Sequence, residues 1–199
     1  WNNTAFGESA AYWNTSGGQN VAVGNSALHE NQTGNNNTAV GFVAMFNNTA
    51  WNNTAVGESA MYWNQTGYQN VAVGNSALGS NRTGSNNTAV GFMALFNDTS
   101  WHNTAIGESA MIQNTSGYQN VAIGNSALAN SRSGNDNIAI GFLALSQDTV
   151  SENTAVGSWS MAANVSGTSN VALGNGSLQN NLEGNSNTAL GFIALINNH

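Results

Sequence analysis

Apolar residues fall into two short patches that recur along the whole chain, separated by stretches rich in Asn, Ser, Thr and Gly. The first patch reads Thr or Val, then Ala, then Val, Ile or Leu, and a Gly closes it, as in Val71-Ala72-Val73-Gly74. Period-two alternation with β-branched residues predicts a short strand running into a turn. The second patch, such as Ser76-Ala77-Leu78 or Met93-Ala94-Leu95, reads as another short strand.

The spacing of these patches sets the architecture. The Asn two positions before the strand Ala recurs as Asn3, Asn20, Asn37, Asn53, Asn70, Asn87, Asn103, Asn120, Asn137, Asn153, Asn170 and Asn187, at intervals of 17, 17 and 16. The chain therefore aligns with itself as four repeats (1–50, 51–100, 101–150 and 151–199) of three units each. A unit of 16 to 17 residues is too short for a helical-hairpin repeat, which needs about 33 residues or more. Two short strands and two turns make one lap of a coil. The fold class is all-β: a parallel β-solenoid, or β-roll, of about 12 coils in a single repeat domain, 1–199. Stacked at about 4.8 Å, the coils make a rod of roughly 55 to 60 Å. The pattern is already running at Trp1 and still running at Ile196-Asn197-Asn198-His199, which reads as a segment of a longer fibre continued end to end.

Volume suggests which side chains point inward. The columns of Val23, Val40, Val56, Ile106 and Leu173, and of Leu28, Met45, Met61, Leu78 and Leu145, would fill an interior at protein density, whereas two Ala columns would not. The expectation is branched aliphatics inside and both Ala columns (Ala5, Ala22, Ala39 onward; Ala10, Ala27, Ala44 onward) outside. Small outward residues would admit another backbone. The repeated Asn reads as an amide ladder at a coil corner, and the Gly after each strand as a positive-φ turn or a close approach of neighbouring coils.

Composition narrows the chemistry. Two basic residues, Arg82 and Arg132, stand against nine acidic ones, giving a net charge of −7. No basic stripe can neutralise a phosphate backbone, so nucleic acid is not an expected partner. The absence of Cys excludes disulfides and thiolate metal sites. No apolar run approaches the roughly 18 residues of a spanning helix, so membrane insertion is not expected either.

The repeat N-[TV]-A-[VI]-G-x-x-A, as in Asn70-Val71-Ala72-Val73-Gly74-Asn75-Ser76-Ala77, resembles that of the head domains of trimeric autotransporter adhesins, and is similar to Asn- and Gly-rich repeats in bacteriophage tail fibres. The resemblance covers the whole chain. It implies a left-handed parallel β-roll, three chains packed about an axis, and an extracellular role in attachment.

Candidate sites are few. Thirteen N-x-[ST] sequons begin at Asn2, Asn14, Asn31, Asn36, Asn47, Asn52, Asn64, Asn81, Asn86, Asn97, Asn114, Asn164 and Asn175. The column Asn14, Asn64, Asn114 and Asn164 stays a sequon in all four repeats and precedes a turn Gly, so a glycan there is expected to project into water. Trp13, Trp63, Phe42 and Phe92 are candidate stacking platforms for sugars or a partner chain, with packing as the plainer use. Glu8, Glu58 and Glu108 lie three coils apart, about 14 Å, beyond the about 5 to 9.5 Å of a catalytic carboxylate pair. His29, His102 and His199 occupy unrelated columns, and Asp98, Asp136 and Asp148 do not recur as calcium-binding solenoid repeats require. No catalytic constellation, cofactor site or metal site is assigned. A regular Thr face (Thr4, Thr38, Thr54, Thr88, Thr104) would suit ice, but Val or Ile interrupts it and volume points it inward. The reading is a non-enzymatic extracellular filament protein of secreted or surface location, self-associating end to end or as a homotrimer. The alternative is an adhesin or tail-fibre shaft that binds cell-surface glycans.

Overall fold

In the computed structural model, which describes residues 1–198, each repeat unit contributes one three-residue strand. The strands are β1 (Thr4–Phe6), β2 (Val21–Val23), β3 (Thr38–Val40), β4 (Thr54–Val56), β5 (Val71–Val73), β6 (Thr88–Val90), β7 (Thr104–Ile106), β8 (Val121–Ile123), β9 (Ile138–Ile140), β10 (Thr154–Val156), β11 (Val171–Leu173) and β12 (Thr188–Leu190). They form one parallel sheet in chain order, each Ala opposite the next coil's Ala. The chain is an all-β solenoid, and sixteen or seventeen residues make one lap.

The second patch is not a strand. Ser76 and Leu78 have φ of 57° and 50°, and the equivalent residues of the other coils share this left-handed geometry. Backbone bonds still link the coils here: Leu78 donates to Ala94 at 3.0 Å and Ser76 to Glu58 at 2.9 Å. Period-two alternation requires extended backbone, and the positive φ values here re-aim the side chains.

That change corrects the assignment of inside and outside. Ala22, Ala39, Ala72 and Ala105 on the strands, and Ala27, Ala44, Ala77 and Ala110 in the turns, are fully buried. The Leu/Met column is buried as expected, Leu28, Met45, Met61, Leu78 and Leu145 included. The Val23, Val40, Val56, Ile106 and Leu173 column faces outward, with Val56 and Ile106 each 38% exposed. A left-handed Leu78 lets it and its neighbour Ala77 both point inward, which period-two alternation forbids. One large column, two Ala columns and the amides described below fill a thin interior. The Thr column also lies outward, beside the Val column, so the ground for discounting a hydroxyl face is now its interruption by Val21, Val71, Val121, Ile138 and Val171 alone. Where Ser160 and Ser177 replace the turn Ala, their hydroxyls are satisfied by each other at 3.1 Å and by the carbonyls of Ala172 and Gly174.

Gly74 shows why Gly closes every strand. Its φ is 130°, and a Cβ there would lie 2.6 Å from the Gly91 carbonyl oxygen of the next coil. Both proposed reasons for the column therefore apply at once.

The three-coil superperiod also has a structural basis. Asn20 and Asn53 donate to the carbonyls of Gly34 and Gly67, but Asn37, Asn87 and Asn137 donate to those of Ala50, Ser100 and Val150. Every third coil omits one residue from this turn, and the shorter path accommodates a side chain where the longer turns carry Gly.

Candidate functional site

Two columns of buried amides follow the rod, the second interrupted by Asp98, Ser131 and Asp148. In the first, each Asn before a strand accepts the backbone N–H of its counterpart one coil on: Asn70 donates from its N–H to Asn53 Oδ1, and Asn87 likewise to Asn70, both at 2.9 Å. The same side chain donates from Nδ2 to a turn carbonyl, as Asn70 does to Gly84 at 2.8 Å. Each rung thus satisfies two buried backbone groups that no strand pairs.

The second ladder contains the sequon column. Asn31 Nδ2 donates to Asn14 Oδ1, Asn64 to Asn48, Asn81 to Asn64 and Asn181 to Asn164, at 2.8 to 3.0 Å. Asn64, Asn114 and Asn164 are fully buried, as are Asn31 and Asn81. The expectation that a glycan on Asn64, Asn114 or Asn164 would project into water is therefore overturned: the amide is a rung, and its Nδ2 donates both to the rung before it and to the turn Gly carbonyl. Asn14, in the first coil, is half-buried with its Nδ2 on the Gly17 carbonyl. Sequence regularity at this column records the ladder. Among the other sequons, Asn2, Asn36, Asn52 and Asn175 are exposed, and Asn47, Asn86 and Asn97 are half-buried.

Asp98 and Asp148 replace Asn in this second ladder, and both are buried. Each Oδ1 accepts from the next coil, from Asn114 and Asn164 respectively at 2.7 Å, and Ser100 Oγ adds a 2.6 Å bond to Asp98. Each Oδ2 is buried without a partner. Where Asn48 occupies the equivalent rung, Nδ2 donates to Asn31 Oδ1 and to the Ala50 carbonyl, so Asp98, which follows Asn81, faces acceptors in that direction and must carry a proton to bond them. Asp148 follows Ser131, whose Oγ is buried without a partner. Burial pushes the Asp98 carboxyl up to about 6, against the hydrogen bonds from Ser100, Asn114 and Asn103. Burial likewise pushes Asp148 up to about 7, against bonds from Asn164, Val150 and Asn153. The sequence offers the signal, an Asp in an Asn column, only once the column is known to be internal.

The aromatic residues stack between adjacent coils. Tyr12, His29, Phe46 and Tyr62 form a continuous pile with centroid separations of 5.5, 4.8 and 5.2 Å and planes within 7°. Trp51 stacks on Tyr68 at 4.8 Å, and Trp101 on Tyr118 at 6.1 Å. Comparison at an interval of fifty misses these contacts, which arise at sixteen or seventeen. The expected platforms are spread over the surface: Trp13 and Trp63 set their edges against Tyr12 and Tyr62 at 5.0 and 4.9 Å, and Phe42 and Phe92 are about half exposed on the coil edge. Glu8, Glu58 and Glu108 each accept from the Asn one coil on, at 3.2 to 3.3 Å. His29 lies within the pile and His102 is exposed; His199 is outside the described residues. Among the described residues no three acidic or imidazole side chains converge on a metal-sized site, and no helix is long and apolar enough to cross a membrane. No family model, curated protein or solved structure matches the chain.

Proposed function

We propose that this chain is a structural element of an extracellular fibre, a rod that associates with further copies of itself through the outward face of its sheet. The observation that carries the reading is the third strand position. Phe6, Val23, Val40, Val56, Val73, Val90, Ile106, Ile123, Ile140, Val156, Leu173 and Leu190 form one unbroken apolar line turned toward solvent. An apolar stripe this long is rare on a monomer and marks an interaction surface. A straight line with one side chain per rung matches another such line best, which favours identical rods side by side. The extracellular setting follows the likeness of the repeats to adhesin heads, which also suggests three copies about an axis. Sedimentation equilibrium tests the association: the wild type is expected as an oligomer, and a variant with Val73→Lys, Val90→Lys and Ile106→Lys as a monomer with unchanged far-UV circular dichroism. A monomeric wild type at tens of micromolar would remove the reading.

A second reading, attachment to cell-surface glycans, is supported by the exposed faces of Trp63 and Phe92. Glycan-array signal that weakens in Trp63→Ala or Phe92→Ala is its test.

A further inference from the structure

The Trp51 column continues one residue per coil as Tyr68, Ser85, Trp101 and Tyr118. Rings occupy every position of this run except Ser85, and a cleft of about 440 Å³ opens there, lined by Tyr68, Thr83, Ser85, Asn86, Trp101 and His102. Its size lies within the range of small-molecule sites. Tyr68 and Trp101 are 36% and 53% exposed, whereas Ser85 is buried. The floor is held by hydrogen bonds between coils: Tyr68 N–H donates to the Ser85 side-chain Oγ at 3.1 Å, Asn86 N–H to the Tyr68 carbonyl at 3.0 Å, and His102 N–H to the Ser85 carbonyl at 3.2 Å.

The width of this gap sets the number of rings it takes, and the rim selects their chemistry. Tyr68 and Trp101 are two coils apart, so their rings are separated by about 9.6 Å along the rod, twice the strand spacing. In the pile, Phe46 occupies an equal two-coil interval between His29 and Tyr62, with centroid separations of 4.8 and 5.2 Å, so the gap over Ser85 takes one ring. A pyranose ring offers an apolar C–H face to each aromatic wall and carries hydroxyls at its edge, and Thr83, Asn86 and His102 supply donors and acceptors around the opening. No Asp, Glu, Lys or Arg lines the cleft, and the chain is acidic overall, so an uncharged ligand is favoured over an anionic one.

We propose that the cleft between Tyr68 and Trp101 over Ser85 is a binding site for a neutral pyranose unit, held between the two aromatic faces with its hydroxyls toward Thr83, Asn86 and His102. A similar interruption at Gly79, between Tyr62 and Phe96, is narrowed because Phe96 leans over it: a Cβ at Gly79 would lie 2.6 Å from the ring. The site rests on the glycan reading above and is independent of lateral association.

The experiment titrates the full chain with cellotriose, chitotriose and maltotriose by calorimetry and tryptophan fluorescence, with free indole as the planar competitor. At least one trisaccharide is expected to bind, with affinity falling about tenfold in Trp101→Ala. Ser85→Tyr, which places in the gap the residue type that stands at positions 68 and 118, is expected to abolish binding while far-UV circular dichroism shows the coil retained, with the loss of the Ser85 Oγ acceptor costing at most a few degrees of melting temperature. Binding unchanged in Ser85→Tyr, no binding by any of the three sugars, or indole binding more tightly than all of them would overturn the proposal. Glycan-array signal lost in Trp63→Ala but intact in Trp101→Ala would remove this cleft and leave the broader glycan reading standing.

Discussion

At the residue scale, the buried acids make the clearest departure from the repeat. An unfolded Asp titrates near 3.9, whereas folded Asp98 and Asp148 hold their protons to about pH 6 and 7. Between these values the folded state binds more protons than the unfolded state, so stability falls as pH rises. The contribution is complete below about pH 4 and lost as pH passes through the folded values. For shifts of two to three units the effect is on the order of 3 kcal/mol per site. The double variant Asp98→Asn, Asp148→Asn supplies the Nδ2 donors that the ladder lacks. It is expected to melt at a higher temperature than wild type at pH 8 and to differ little at pH 4. Parallel pH profiles for the two proteins would show that these acids are not the cause.

At the element scale, the strands are only three residues long, and the amide ladders do much of the work of holding coil to coil. Asn70→Leu keeps the volume but leaves the Asn87 N–H buried and unpaired, and it takes one of two donors from the Gly84 carbonyl, which keeps Asn81 Nδ2. At about 1 to 3 kcal/mol for an orphaned group, the expected loss is about 1 to 3 kcal/mol. Asn75→Leu is the control: that exposed side chain bonds Glu58 at 3.3 Å and its own neighbour Ser76, and its loss should cost about 0.5 kcal/mol or less. Chemical denaturation of both variants checks the contrast. The lap length, the parallel stack and the Asn and Gly columns were legible in the sequence, because spacing and residue type alone determine them. The facing of Val23 and Ala22 was not. It depends on left-handed residues such as Leu28, which no propensity scale favours there, and on amides filling space that volume reasoning had reserved for Val. The sugar cleft was illegible for a related reason: Ser85 is unremarkable in its own unit and becomes a gap only beside Tyr68 and Trp101.

At the scale of the whole molecule, burial divides the thirteen sequons. Secreted from a eukaryotic host, the folded rod is expected to carry glycans only among the solvent-facing positions, Asn36, Asn52 and Asn175 foremost, and none at Asn64, Asn114 or Asn164. Peptide mapping after enzymatic deglycosylation reads this directly, and substantial occupancy at Asn64 in folded material would contradict the internal ladder. The outward aliphatic line and the ring-walled cleft lie on different columns of the coil, so association and ligand capture need not compete.

Hydrogen-bonded partners in adjacent coils lie no more than about 18 positions apart in a chain of 199. A relative contact order of about 0.08 belongs with helical bundles, well below the about 0.16 to 0.22 of sandwiches and barrels. Little loop-closure entropy stands between one formed lap and the next. Refolding can therefore start anywhere and spread lap by lap, each new lap closing on the one before it.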